Sequence, residues 1–407
     1  MRALLEYKNA LQIHPKSAKA SLGLGKAYLR NEEFSRAFSA FKSALEIDPE
    51  LDESRVQVAW LFAMSKQGEA ALLEVAQIRR PDMYQPKVDL IKARAYMANE
   101  RFQEARDILL QTGGGQENKD VQTLLSFSFQ VLDAPGEMKQ AVERWRKLGP
   151  EDPSSYIFLA RYALDKGQKA EAIEELKRMP DTNQGGANLA LLRAQVLERW
   201  GFVKEAAGAY ESLPQTPENL AALADFWLRS GERGKARPVL EGLLASAPDN
   251  IPAAVKLAEL MADENNLASA LHLLEQTLKL DLKKPDRERV LLAKATLMAR
   301  QADWEAVKKI CNAVLEENQG NMDAHFLLGK VLLGMRNAAD AEIHLNQAAS
   351  ARPNDEEAHL LLARSRGLRI GRVIDLALLF LYETVTGGQN VRILPQTRRR
   401  REVVFAG

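Results

Sequence analysis

The sequence predicts an all-α chain organised as a solenoid of stacked antiparallel helix pairs. Three observations carry the prediction. Residues recur at a fixed step of 34: Pro15 to Pro49, Ala37 to Ala71 to Ala105, Ala172 to Ala206, and Ala236 to Ala270. Within each period the apolar residues fall at helical spacing in two separate runs. The turns between the two runs are short, as at Asn31-Glu32-Glu33, which forces neighbouring helices to pack antiparallel. A period of this length marks a helical array, in which each pair buries its apolar face only against its neighbours.

The first clear copy runs from Ala18 to Pro49. Its first helix carries Leu22, Leu24, Ala27, Tyr28 and Leu29, and its second carries Phe34, Ala37, Phe38, Phe41, Ala44 and Leu45. Small residues recur where two backbones must approach in the first helices: Gly25, Ala59, Ala93, Ala160, Ala194, Ala224, Ala258 and Gly329. In the second helices a bulky residue follows the small one by four: Phe41, Val75, Leu109, Trp145, Leu176, Tyr210, Leu240, Leu274 and Leu345. That spacing puts knob and gap on one stripe. Pro15, Pro49, Pro153, Pro248 and Pro353 are expected to stop second helices, since proline cannot continue one. Packing is the default role of all these residues.

Leu24-Gly25, Tyr28, Ala37, Ala44-Leu45 and Asp48-Pro49 together resemble the tetratricopeptide repeat family. The match is strong at Ala18–Pro49 and Asp323–Pro353. It is good at Ile251–Asp281, Leu191–Leu213 and Pro86–Leu110, and degenerate at Asp52–Pro81, Val121–Pro153 and Asp286–Asn318. The resemblance spans residues 1–366 and implies a right-handed superhelix of about ten pairs, with first helices lining a concave, partner-binding face. The opening, from Leu4 to Pro49, is also similar to bacterial repeat proteins linked to exopolysaccharide production and surface-protein sorting. That similarity implies an envelope context.

Of the 407 residues, 46% are apolar, 6% aromatic and 27% charged, the composition of a folded helical chain. The lone Cys311 excludes a disulfide framework within the chain. No basic-then-apolar leader opens the sequence, so the expected location as written is cytoplasmic; a missing native N-terminus would make it periplasmic or membrane-anchored. The longest apolar run, Val373–Tyr382, is about half of what a membrane span needs. A net charge of +1 argues against a general nucleic-acid binder. The charge is uneven: nine arginines, no lysine and three acids from Arg364 onward give +6, leaving 47 basic and 52 acidic residues elsewhere.

Both ends depart from whole repeats. Met1–Pro15 matches a second helix alone, leaving Leu4, Leu5 and Leu11 open to association with a partner. Glu356–Arg366 begins a first helix with no second helix after it, and residues 367–407 abandon the period. Two readings fit that tail. Residues 373–382 form a capping helix and Arg398–Arg401 meet an acidic partner, or the segment is a non-native extension.

No catalytic constellation is visible. His325 and His359 stand 34 apart, where a packing side chain belongs, and no Cys or carboxylate joins them at metal-ligand spacing. Gly23, Gly25 and Lys26 lie inside a helix rather than after a strand, which removes the context of a phosphate loop. Gly113-Gly114-Gly115 reads as a flexible connection. The sequence therefore implies no enzyme activity, no cofactor and no metal.

Aligning the repeats places Lys26, Arg30, Trp60, Met64, Arg94 and Arg161 on the concave face of the earlier copies. Gln195, Glu198, Asp225, Glu259 and Asp263 fall there in the later ones. This pattern predicts a groove running from basic to acidic that holds a peptide or partner protein by charge-assisted contacts. Trp60 is either the affinity anchor or, with Val56, Val58 and Leu61 around it, core. The family's clamp for a chaperone's terminal carboxylate needs Lys and Asn on successive turns, and Leu22 and Lys26 do not supply it. Two rivals to a scaffold are the repeat portion of a larger enzyme, such as a glycosyltransferase, and a helical-repeat RNA binder. The acids Asp225, Glu259 and Asp263 speak against the RNA binder.

Overall fold

The structure, a computed structural model, describes residues 2–182, 186 and 188–369. A lone helix α1 (Arg2–Ile13) precedes ten antiparallel pairs. The first six are α2 (Ala18–Arg30) with α3 (Phe34–Ile47), α4 (Asp52–Met64) with α5 (Gly68–Ala76), α6 (Lys87–Ala98) with α7 (Phe102–Gln111), α8 (Lys119–Val131) with α9 (Pro135–Leu148), α10 (Pro153–Asp165) with α11 (Lys169–Lys177), and α12 (Leu189–Arg199) with α13 (Val203–Glu211). With α1 they make up a compact unit that ends at Leu213. A second unit begins at Pro214. It holds α14 (Pro217–Arg229) with α15 (Arg233–Ser246), α16 (Ile251–Asp263) with α17 (Leu267–Thr277), α18 (Lys284–Arg300) with α19 (Trp304–Glu317), and α20 (Met322–Gly334) with α21 (Ala338–Ala351). A helical stretch at 356–369 follows. Among the described residues there is no β-strand, only one bridge between Thr182 and Asn188.

The small-residue stripe performs as the spacing predicts. Ala37, Ala71, Ala105, Ala172, Ala206, Ala236, Ala270 and Ala341 are all fully buried, as are Ala59, Ala93, Ala160, Ala194, Ala224 and Ala258 in first helices. Each bulky partner four residues on is buried as well, from Phe41 to Leu345. The core is a series of local clusters rather than one centre. Examples are the cluster around Phe41 and Val58, and another around Val307, Leu328 and Leu345. The degenerate copies form regular pairs too, with Met138 and Val307 buried at the place that Ala37 takes in α3.

Every turn inside a pair closes the same way. Glu33 N–H donates to the Tyr28 carbonyl, and the same six-residue bond recurs from Gln67 to Phe62, Arg101 to Tyr96, and onward to Asn337 and Leu332. The residue before each donor is left-handed, as this C-terminal cap requires. Glycine fills that place at Gly167, Gly201 and Gly231, but Glu32, Lys66, Glu100, Asp133, Asn265, Ala302 and Arg336 carry a side chain there.

The loops between pairs are tied down by a polar side chain from the following first helix. Arg55 donates to the Pro49 carbonyl at 2.7 Å, Tyr156 to Pro150 at 3.0 Å, and His325 pairs with the Gln319 carbonyl at 3.0 Å. His359 makes the equivalent contact with Pro353 at 3.2 Å. The two histidines do share a structural place, although the ring that stacks on His325 is His344, with centroids 5.1 Å apart. Burial and the neighbouring His325 hold the His344 pKa below its usual value.

Several sequence expectations need correction. Pro153 does not stop a helix but opens α10 as its first residue, where its missing N–H costs nothing. Gly113-Gly114-Gly115 is built rather than slack, with Gly114 left-handed and Gly115 buried at the start of a 3-10 turn, Gly115–Glu117. Leu5 is exposed at 58%, but Leu4 and Leu11 are half-buried, Leu4 against the first core cluster. Residues 367–369 continue the last helical stretch; the proposed cap 373–382 and Arg398–Arg401 lie outside the described residues. Cys311 is fully buried, and burial pushes its thiol up to about 12, so it acts as a small apolar side chain.

Candidate partner-binding faces

First helices lie side by side within each unit, so their residues outside the packing stripe share one face. In the first unit, Lys26 on α2 pairs with Glu53 on α4. Lys87 on α6 donates to Gln57 at 3.0 Å and sits 5.9 Å from the centre of the Trp60 ring. Burial lowers the Lys87 pKa, partly offset by Glu53. Trp60 is half-buried and packs against two core clusters, so it serves as mortar between pairs more than as a free anchor. Arg30 is exposed, Met64 is 50% exposed at the end of α4, and Arg94 is half-buried on α6. Arg161 is exposed on α10, held at 3.0 Å by Asp165 one turn on. Gln195 is exposed, and Glu198 accepts a hydrogen bond from the Tyr210 hydroxyl at 2.8 Å.

In the second unit the acids found by repeat alignment are mostly neutralised from the next pair. Asp225 on α14 pairs with Lys256 on α16. Asp263 pairs with Arg300 on α18 at 2.7 Å and with Arg233 at 3.2 Å. Such pairs, partly exposed, are worth at most about 1 kcal/mol each. They bridge neighbouring helices, and among the described residues Glu259 is the one of the three acids without an ion pair.

Glu259 stands on a cleft of about 720 Å³ formed by α16, α18 and α20. Val255, Leu292, Ala293, Phe326, Leu327 and Val331 supply apolar walls, and Trp304 and Ala299 also lie on the lining. Glu259 is open to solvent on one side, yet partial desolvation raises its pKa, opposed by Arg300 and reinforced by Asp263. Four other charges on the lining are already satisfied. Lys330 pairs with Glu357 at 2.8 Å, Asp323 with Arg352 at 2.5 Å, Arg300 with Asp263, and buried Glu288 accepts from Asn318 and Asn321. Arg289 is exposed and makes no ion pair among the described residues. A cleft of this size, apolar with a few polar groups, suits a few side chains of a partner chain.

Arg289, Thr296, Phe326 and Lys330 were missed in the sequence. The signal was present: Thr296 and Lys330 occupy, one and two repeats further on, the place of Lys26, Trp60 and Glu259. The step from Glu259 to Thr296 is 37 rather than 34, which masks the equivalence.

Stacked antiparallel pairs with a small-residue stripe and shared first-helix faces define a helical-repeat protein built to present surface. The family model for the tetratricopeptide repeat matches residues 2–57, 228–297 and 298–365, and these segments carry tetratricopeptide repeats. No curated protein matches it. Among solved structures, yeast Tom70 is similar at 14% identity and TM-score 0.42 over 91% of this chain and 92% of that one. A tetratricopeptide repeat protein from Parabacteroides merdae is similar at 16% identity and TM-score 0.40, over 61% of this chain and 98% of that one. The exopolysaccharide context implied by the opening residues has no counterpart among these matches.

Among the described residues no group of three or more His, Cys, Asp or Glu is placed to hold a metal ion. Among the same residues no helix is long and apolar enough to cross a membrane.

Proposed function

We propose that the chain is a non-catalytic scaffold that binds a partner protein through its first-helix faces. The cleft between α16, α18 and α20 carries the proposal. It has an apolar floor that a lone soluble surface has no reason to keep open, and its lining charges are largely satisfied internally. In the first unit, Lys26, Arg30, Met64, Arg94 and Arg161 form a second contact face, where charge sets register more than affinity. Tetratricopeptide repeats are typical of interaction scaffolds, which supports the reading without naming a partner.

The test is a crosslinked capture from the native cell with the full chain as bait, beside two variants. Ala293→Trp fills the cleft, and a Lys26→Glu, Arg30→Glu, Arg94→Glu triple reverses the first face. A partner held by the wild type and lost with Ala293→Trp supports the cleft, while loss with the triple locates a first-unit contact. Capture indifferent to both variants removes the proposal.

A further inference from the structure

The cleft has a polarity that narrows what can occupy it. With Arg300, Asp323, Lys330 and Glu288 satisfied within the protein, the charges on its lining that make no ion pair among the described residues are Arg289 and Glu259. They stand on neighbouring helices at different heights. In the repeat register Glu259 is level with Thr296, and Thr296 lies seven residues beyond Arg289 on α18. Seven residues of helix rise span about 10 Å. Packed helices lie about 9 Å apart, so the two charges are separated by a diagonal of about 14 Å. An extended chain covers that distance in about four residues. Between them the floor is apolar, with Leu292 and Ala293 on α18 and Val255 on α16.

We propose that the cleft takes an extended peptide segment bearing a carboxylate and a cation about four residues apart, with apolar side chains between them. The carboxylate faces Arg289, the cation faces Glu259, and the apolar pair fills the floor. The inference rests on the reading of the cleft as a partner site and adds the chemistry of the partner. A segment with two like charges would meet one attractive and one repulsive contact, which is how rim charges confer selectivity.

The probes are fluorescent dodecapeptides with a central Leu-Phe and two charged positions four apart, made as Glu with Lys, Glu with Glu, and Lys with Lys. Binding to the full chain is read by anisotropy, with helicity checked by circular dichroism. The mixed peptide is expected to bind about fivefold more tightly than either like-charged one. Arg289→Glu should transfer the preference to the Lys–Lys peptide, and Glu259→Lys to the Glu–Glu peptide. Equal binding of all three peptides, still abolished by Ala293→Trp, would overturn the charge assignment and leave the cleft as a partner site. Binding of none, together with partner capture that Ala293→Trp does not disturb, would remove both.

Discussion

Gly25 is the sharpest test of how these pairs close. A Cβ built on Gly25 would lie 2.4 Å from Cε1 of Phe41, 2.6 Å from Cδ1 and 2.8 Å from Cζ. All three atoms belong to a ring that is itself fully buried, so the ring has no solvent to swing into. Gly25→Ala therefore sets two effects against each other. Alanine favours the helix by about 1 kcal/mol over glycine. Overpacking a buried crossing costs about 1–3 kcal/mol. The clash is with the near edge of the ring, so the upper half of that range applies and the net cost is about 1–2 kcal/mol. Hydrogen exchange read by mass spectrometry on α2 and α3 should then show protection falling about tenfold or somewhat more, since 1.4 kcal/mol is a factor of ten. Gly242→Ala is the control, because its Cβ would meet nothing within 4 Å inside α15. There the helix propensity acts alone, and protection should rise. In a Phe41→Leu background Gly25→Ala should lose most of its cost, the signature of coupled neighbours. Protection of α2 and α3 that rises with Gly25→Ala, as it does in the control, would show that the crossing has room and that the small-residue stripe is not steric.

Three further outcomes are expected. Buried Glu74 holds Arg55 at 2.9 Å and Lys42 at 2.6 Å, so Glu74→Leu strands the Arg55 charge and should cost about 3 kcal/mol in denaturant unfolding; a loss under 1 kcal/mol would argue against it. Asp152 caps α10, and although burial pushes its carboxyl up, hydrogen bonds from Lys119 and Ser154 outweigh this and hold it at about 2. A depressed carboxylate stabilises the fold above its ordinary pKa and loses that effect as pH falls toward 2. The melting gap between wild type and Asp152→Asn should accordingly hold from pH 7 to 5 and close below pH 4; a gap that widens on acidification would contradict the sign. Ala302 occupies a left-handed turn position that glycine fills in three other pairs. Ala302→Gly should relieve about 1–2 kcal/mol of strain against about 0.4–1 kcal/mol of added unfolded-state entropy, raising the local stability of α18 and α19 in exchange measurements.

The amino-acid sequence by itself determined the fold to the level of individual packing positions. Burial at a helix crossing is a local demand, met by a small residue and a bulky one four apart. The 34-residue step therefore displays it at Ala37, Ala71 and Ala105 without reference to anything distant. The same step identified which face the first helices share, and so placed Lys26, Arg94, Asp225 and Glu259 on that face. What only the tertiary structure decided is which of those charges remain available. Lys26 meets Glu53 and Asp225 meets Lys256 at separations of 27 and 31 residues that depart from the repeat step, while Asp263 meets Arg300 at the local step of 37. Trp60 likewise is half-buried because two adjacent clusters pack against it. The cleft is lined by residues of three first helices, α16, α18 and α20, with α18 extended to 17 residues. A periodic pattern records what each repeat must bury. It does not record how far one repeat slides past the next, and that displacement decides which side chains find an ion-pair partner and which, like Arg289 and Glu259, find none among the described residues.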